Sequence, residues 1–180
     1  IEKFQLGHDG DIRITIPIKS QTGEWVNERM YLPPHRRVSN NDAKVKNINK
    51  LGENRFFPYE AFDADPIIIV EGEKDMLSAR SRGLNAITGL AGGAVPMHEV
   101  AMFKGHTVFV ATDNDTAGDR AASKYIKALR GIAADVKRIQ YPEDCKDYVD
   151  FWQRHSGDEW LNLAVESDQS LPGLNSVGVS

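Results

Sequence analysis

The sequence predicts an α/β protein, a parallel sheet flanked by helices and preceded by a small β-rich N-terminal subdomain. Three observations predict it. Two runs near the N-terminus, DIRITIPI (11–18) and EWVNERMYL (24–32), alternate apolar and polar residues as half-buried strands do. From residue 66 the texture changes to continuous β-branched runs, as expected of strands buried on both faces of a sheet. Segments of helical periodicity separate these runs, and strands joined by helical crossovers form a parallel sheet.

Taken in order, the two alternating runs flank the turn SQTG (20–23) and read as a hairpin. Pro33-Pro34 ends it, and residues 35–55 are polar, basic and weakly periodic, an extended loop with room for one short strand. FFPYEAF (56–62) is an aromatic connector. PIIIVEGE (66–73) is the first buried strand, and EKDMLSARSRG (73–83) is a helix that stops at Gly83. LNAITGL (84–90) is a second strand, followed by the glycine-rich turn LAGGAVP and a helix over 95–105. HTVFVATD (106–113) is a third strand. TAGDRAASKYIKALRG (116–131) is an amphipathic helix, with Thr116 and Asp119 spaced as a capping box. DVKRIQYP (135–142) is a fourth strand, and KDYVDFWQRH (146–155) and DEWLNLAVE (158–166) read as helices. The Ser/Gly/Asn-rich tail 167–180 reads as linker. The expected divisions are a basic β-rich subdomain over 1–62, the α/β domain over 63–157, and a C-terminal helix and tail over 158–180.

Composition excludes several classes. At 180 residues the chain is long enough to build a core without disulfides, and its single cysteine, Cys145, excludes a disulfide framework and a four-thiolate zinc site. No apolar run approaches the ~18 residues of a membrane span, so no membrane partner is expected and the location is expected to be cytoplasmic. The chain opens on Ile1 rather than Met, as a piece of a longer protein would. The net charge of −4 speaks mildly against a nucleic-acid partner, yet the charge is unevenly spread. Residues 1–60 hold ten basic and eight acidic side chains, whereas 61–180 hold twelve and eighteen.

In a parallel sheet, ligands sit beyond the carboxyl ends of the strands. Three of the four ends here carry acid: Glu71 after IIIV, Asp113 and Asp115 after VFVAT, and Asp147 beyond the last strand. Residues i and i+2 at a strand end share a face, so Asp113 and Asp115 can point together. Carboxylates clustered this way suit a hard divalent cation such as Mg²⁺ or Mn²⁺. The alternative is that these acids cap the following helix. An EF-hand is excluded, because Ala117 and Lys124 stand where calcium ligands are required. The segment GLAGGA lacks the dinucleotide-binding spacing, and no Walker A, H-E-x-x-H or G-x-S-x-G sequence occurs.

The joint pattern IIIVEGEKD, then about 40 residues, then VFVATDNDTAGDRAA resembles the TOPRIM domain shared by primases, topoisomerases and some nucleases. The D-N-D-x-A-G sequence followed by Arg is most similar to the primase branch, and K-D-x-x-D (Lys146, Asp147, Asp150) resembles it more loosely. Ala117 stands where type II topoisomerases tend to carry a further Asp. The resemblance covers about residues 66–155 and implies a DNA primase catalytic fragment. Such a fragment is a nucleotidyltransferase that joins ribonucleoside triphosphates on single-stranded DNA, with a fused or separate replicative helicase as partner. It implies that Asp113 and Asp115 hold metal with Asp147 as a third ligand, and that Glu71 either ligates metal or acts as acid/base. Asp75 and Asp150 are secondary candidates. The basic stretch before the domain implies template and nucleotide contacts at Arg29, Lys46, Asn47, Lys50 and Arg55, whose cations would meet phosphates. The other readings are nuclease- or topoisomerase-like phosphodiester chemistry, or a non-catalytic nucleic-acid-binding module. A zinc-binding initiation domain and a helicase motor either lie outside this fragment or do not exist.

Overall fold

A computed structural model describes residues 4–39, 41–48, 53–90, 93–155, 160 and 162–166. The chain divides into two compact units, Ile1–Glu53 and Asn54–Ser180. Residues 54–62, expected with the first unit, belong with the second. The expected linker at 167–180 and Lys50 lie outside the described residues.

The first unit is a four-stranded antiparallel sheet in the order β1 (Gly7–His8), β2 (Ile14–Lys19), β3 (Trp25–Tyr31), β4 (Val45–Asn47). The hairpin of β2 and β3 forms where alternation predicts it, closed by Ser20 N–H to Glu24 O at 2.8 Å. Ile16, Ile18 and Leu32 are its buried apolar residues. The Arg13 guanidinium is also buried, and it donates to the carbonyls of Met30 and Ala43 at 3.1 Å each, tying the loop before β4 to β3.

The second unit is a six-stranded sheet. Its centre is β6 (Ile67–Val70), with β7 (Ala86–Gly89) on one side and β8 (Thr107–Ala111) then β9 (Asp135–Ile139) on the other, all parallel. The edges are antiparallel: β5 (Phe56–Phe57) on β7 and β10 (Ala164–Glu166) on β9. The helices are α1 (Glu73–Ser81), α2 (Thr116–Leu129) and α3 (Tyr148–Arg154). One sheet face, through Ile67, Ile69, Ile87, Val108 and Val110, shares a core with Ala122, Tyr125, Ile126 and Leu129 of α2. On the other face Phe109 meets Trp160 edge-on at 6.4 Å, and Trp160 meets Tyr148 of α3 at 6.0 Å. Both faces are covered, which is why the strands read as unbroken apolar runs.

Two elements differ from expectation. Residues Met97–Phe103 form a 3₁₀ helix. Its buried residues Val100 and Phe103 stand three apart, the repeat at which 3₁₀ side chains line up. Residues 164–166, expected in a helix, form β10, because β9 offers an open edge and Ala164 pairs with Ile139. Tertiary pairing overrides a weak local preference there.

Phe56 shows why 54–62 belongs with the second unit. It is fully buried, its ring centroid lies 4.8 Å from that of Phe103, and its N–H donates to Glu99 Oε2 at 2.6 Å. Phe56→Ala is expected to destabilise this unit by about 3–5 kcal/mol in urea denaturation.

Candidate metal centre

Strand order creates the site. From β6 the chain crosses through α1 to β7, and from β8 it crosses through α2 to β9, in the opposite direction along the sheet. A crevice opens at the carboxyl ends of two neighbouring strands whose connections diverge. Here those strands are β6 and β8, in register with Val70 beside Ala111. The next residues outward include Glu71 on one side and Asp113 on the other. The Asp113 N–H donates to Glu71 Oε2 at 3.1 Å, which anchors the glutamate.

Asp113 is the electrostatic centre. Burial, followed by the charges of Glu71, Asp75 and Asp147, pushes its carboxyl up to about 7, against a smaller opposing pull from Lys146. The sequence placed Asp75 second, but the structure brings it into the group: it is buried on the first turn of α1. Lys74 Nζ lies 3.5 Å from Asp75 Oδ1 and 3.8 Å from Asp147 Oδ2. Beneath these acids Tyr141 is buried, and burial with the charges of Asp75, Asp147 and Asp113 holds its hydroxyl well above the usual tyrosine range.

Asp115 and Asp147 each cap a helix. Asp115 Oδ1 accepts from the N–H groups of Ala117 and Gly118, both at 2.9 Å, so Asp115 rather than Thr116 starts α2. Asp147 Oδ1 accepts from Asp150 N–H at 2.8 Å at the start of α3. Asp150 Oδ2 accepts from Lys146 N–H at 3.2 Å, which closes the turn. The capping alternative therefore describes part of what these acids do, and it leaves Asp113 out.

Asn114 and Gly118 position the group. Asn114 faces the loop before α3, donating from its backbone to Lys146 O at 2.6 Å and from its amide to Pro142 O and Cys145 O at 3.2 and 3.0 Å. This holds the loop that ends in Asp147 against the loop that carries Asp113. The D-N-D-x-A-G sequence includes Asn114 but does not show this bonding role, because its partners lie about 30 residues on. Gly118 has a stricter role: a Cβ there would stand 1.9 Å from Asp113 O. Only glycine lets α2 start this close to the Asp113 backbone.

All the donors are carboxylate oxygens, which fits a hard divalent cation. Among the described residues no three of these carboxylates bring one oxygen each within 4.8 Å of one another. In the first unit, Arg29 and Asn47 are register partners across β3 and β4, and Arg29 donates to Asn47 Oδ1 at 2.6 Å. Lys46 precedes Asn47 and so points to the opposite face. Arg55 lies in the second unit, beside Tyr59.

Residues 68–152 match the family described as Toprim-like. The chain is 30% identical over 142 residues to a DNA primase of Clostridium acetobutylicum, a match covering 72% of this chain and 24% of that protein. It therefore spans about a quarter of that relative's length. In structure it resembles the zinc-binding and RNA polymerase domains of the Aquifex aeolicus primase, with a TM-score of 0.67, 23% identity, and 84% of this chain and 39% of that one covered. It also resembles the primase fragment of the bacteriophage T7 primase-helicase, with a TM-score of 0.68, 18% identity, and coverage of 90% and 67%.

Two outcomes follow from the geometry. Asp113 takes up its proton near pH 7 when folded and near its ordinary 3.8 when unfolded. The folded chain therefore binds more protons between those values, and stability falls as pH rises from about 4 to about 7. Partial exposure screens the effect to about 1–2 kcal/mol. In EDTA-treated buffer at pH 8, Asp113→Asn is expected to melt about 2–6 °C above the parent, a gain that fades toward pH 4. Gly118→Ala is expected to cost at least about 2–3 kcal/mol in urea denaturation, because the methyl meets backbone that must move.

Proposed function

We propose that this Toprim-like domain and the antiparallel sheet before it are the catalytic fragment of a DNA primase, which joins ribonucleoside triphosphates on a single-stranded DNA template. The observation that carries this reading is the raised, half-buried Asp113 among Glu71, Asp75 and Asp147 at the β6/β8 crevice. A carboxylate group that repels itself this strongly is poised to hold cations.

Asp113, Asp115, Glu71 and Asp147 would hold Mg²⁺ or Mn²⁺, with Asp75 behind them. A bound cation supplies charge neutralisation for the incoming triphosphate and the departing pyrophosphate. The chain's own residues do the rest. Glu71 accepts the Asp113 N–H, which holds its carboxyl at the crevice as a metal ligand or as the acid/base group. Asn114 holds the two acid-bearing loops together. Lys74 and Lys146 offset part of the negative charge and would be available to phosphate oxygens. Arg29, Lys46, Lys50 and Arg55 would grip template or nucleotide phosphates, with Asn47 orienting Arg29. A replicative helicase, fused or separate, and a cytoplasmic location complete the reading. Among the described residues no helix is long and apolar enough to cross a membrane.

The test is incorporation of labelled ribonucleotide on single-stranded DNA with Mg²⁺ or Mn²⁺. The parent chain is expected to extend primers, and Asp113→Asn to lose at least about a hundredfold in rate while keeping its circular dichroism. Full activity in that variant, or nicking of plasmid DNA without incorporation, would overturn the reading.

A further inference from the structure

A second group of metal-ligating side chains lies in the loop that leads to Asp147. Asp144 and Cys145 stand in the turn closed by Cys145 N–H to Pro142 O, and His155 ends α3. Their ligand atoms all lie within 4.8 Å of one another, the one such trio of His, Cys, Asp or Glu among the described residues. Cys145 Sγ is 3.6 Å from Asp144 Oδ1, and His155 Nε2 is 3.9 Å from the same oxygen. In a tetrahedral zinc site, with Zn–S about 2.3 Å and Zn–N or Zn–O about 2.0–2.2 Å, ligand atoms stand about 3.3–3.6 Å apart. The trio is therefore within an ångström or so of coordinating distances.

The surroundings favour ligation. His155 stacks on Phe151, ring centroids 4.9 Å apart and planes 14° apart, which fixes the imidazole. Its Nε2 is buried and makes no hydrogen bond. Cys145 is buried, Asp144 is exposed, and Arg154 approaches the other Asp144 oxygen, Oδ2, at 3.8 Å, leaving Oδ1 for the trio. Sulfur, imidazole nitrogen and one carboxylate make a borderline-soft donor set. Such a set selects zinc-class ions over the Mg²⁺ or Mn²⁺ that an all-oxygen group prefers.

We infer that Asp144, Cys145 and His155 form a three-ligand site for a zinc-class divalent ion, with water in the fourth position. The site staples the loop 142–146 to the end of α3. The sulfur binds as thiolate, so its proton, now shared with Asp144, leaves to solvent as the metal enters. Through the bonds from Asn114 to the carbonyls of Cys145 and Lys146, the staple also steadies the Asp147 side of the acidic crevice. This inference stands on its own geometry and does not need the primase reading.

The test is titration of the intact chain with Co²⁺. Cys145 is the single cysteine, so a thiolate-to-cobalt charge-transfer band can report this site alone. The expected result is a band saturating at one equivalent and displaced by Zn²⁺. It should be absent in Cys145→Ser, at least tenfold weaker in affinity in His155→Ala, and unchanged in Asp113→Asn. The absence of a band in the parent chain would overturn the inference. So would a band that keeps full affinity in His155→Ala, a variant that decides the matter even if Cys145→Ser does not fold.

Discussion

Everything in the second unit depends on holding like charges together at the ends of β6 and β8. The parallel register that sets Val70 beside Ala111 delivers Glu71 and Asp113 to the same crevice. Burial then denies Asp113 the water that would screen it, and its carboxyl is driven up to about 7. A chain pays for such an arrangement in stability unless a ligand repays it. The means of bearing that cost are visible. The strands beneath are buried on both faces, the core with α2 is continuous, and the backbone around the acids is fixed by short, specific contacts rather than left as open loop.

The contacts share a logic. Asp115 and Asp147 each use one oxygen, Oδ1, to satisfy N–H groups at a helix start. Capping orients the carboxylate through bonds made to one oxygen, so a cap and a metal ligand are compatible roles for one residue. Asp113 has no such anchor on its side chain. It is instead held from behind, its N–H by Glu71 and its carbonyl by the close approach of Gly118. The rigid caps and the strained centre are thus complementary: the flanking acids are positioned by helix formation, and the central one by strand register.

Much of this was legible in the sequence. The β-branched runs 67–70 and 107–111 declared their burial, and the acids following them declared the edge of the sheet. The D-N-D-x-A-G sequence also held the glycine that the Asp113 carbonyl requires. What escaped depended on partners far away in the chain. Asn114 bonds to residues 142–146, and nothing local distinguishes it from a spacer between two acids. Residues 164–166 are a strand because β9 has an open edge, which no window around them reveals. The apolar spacing over 97–103 was visible, but the distinction between 3₁₀ and α rests on two side chains, Val100 and Phe103, whose burial is set by the neighbouring sheet.

The charge pattern gains a physical meaning from the fold. The net −4 is the sum of a first third at +2 and a remainder at −6. Four of the acids in that remainder, Glu71, Asp75, Asp113 and Asp147, are those that act together at the crevice. A polyanion approaching them meets repulsion unless cations are bound, and afterwards meets a site whose charge has been offset. On the proposed reading, affinity for nucleic acid at the crevice is conditional on metal, whereas the cations of the first unit need none. Of those, Arg29 is pre-oriented by Asn47, and Lys46 points from the other face of the same two strands. A flat two-sided sheet edge cannot present both to one phosphate. Arg29 and Lys46 must therefore serve different phosphates, or different strands, if both bind.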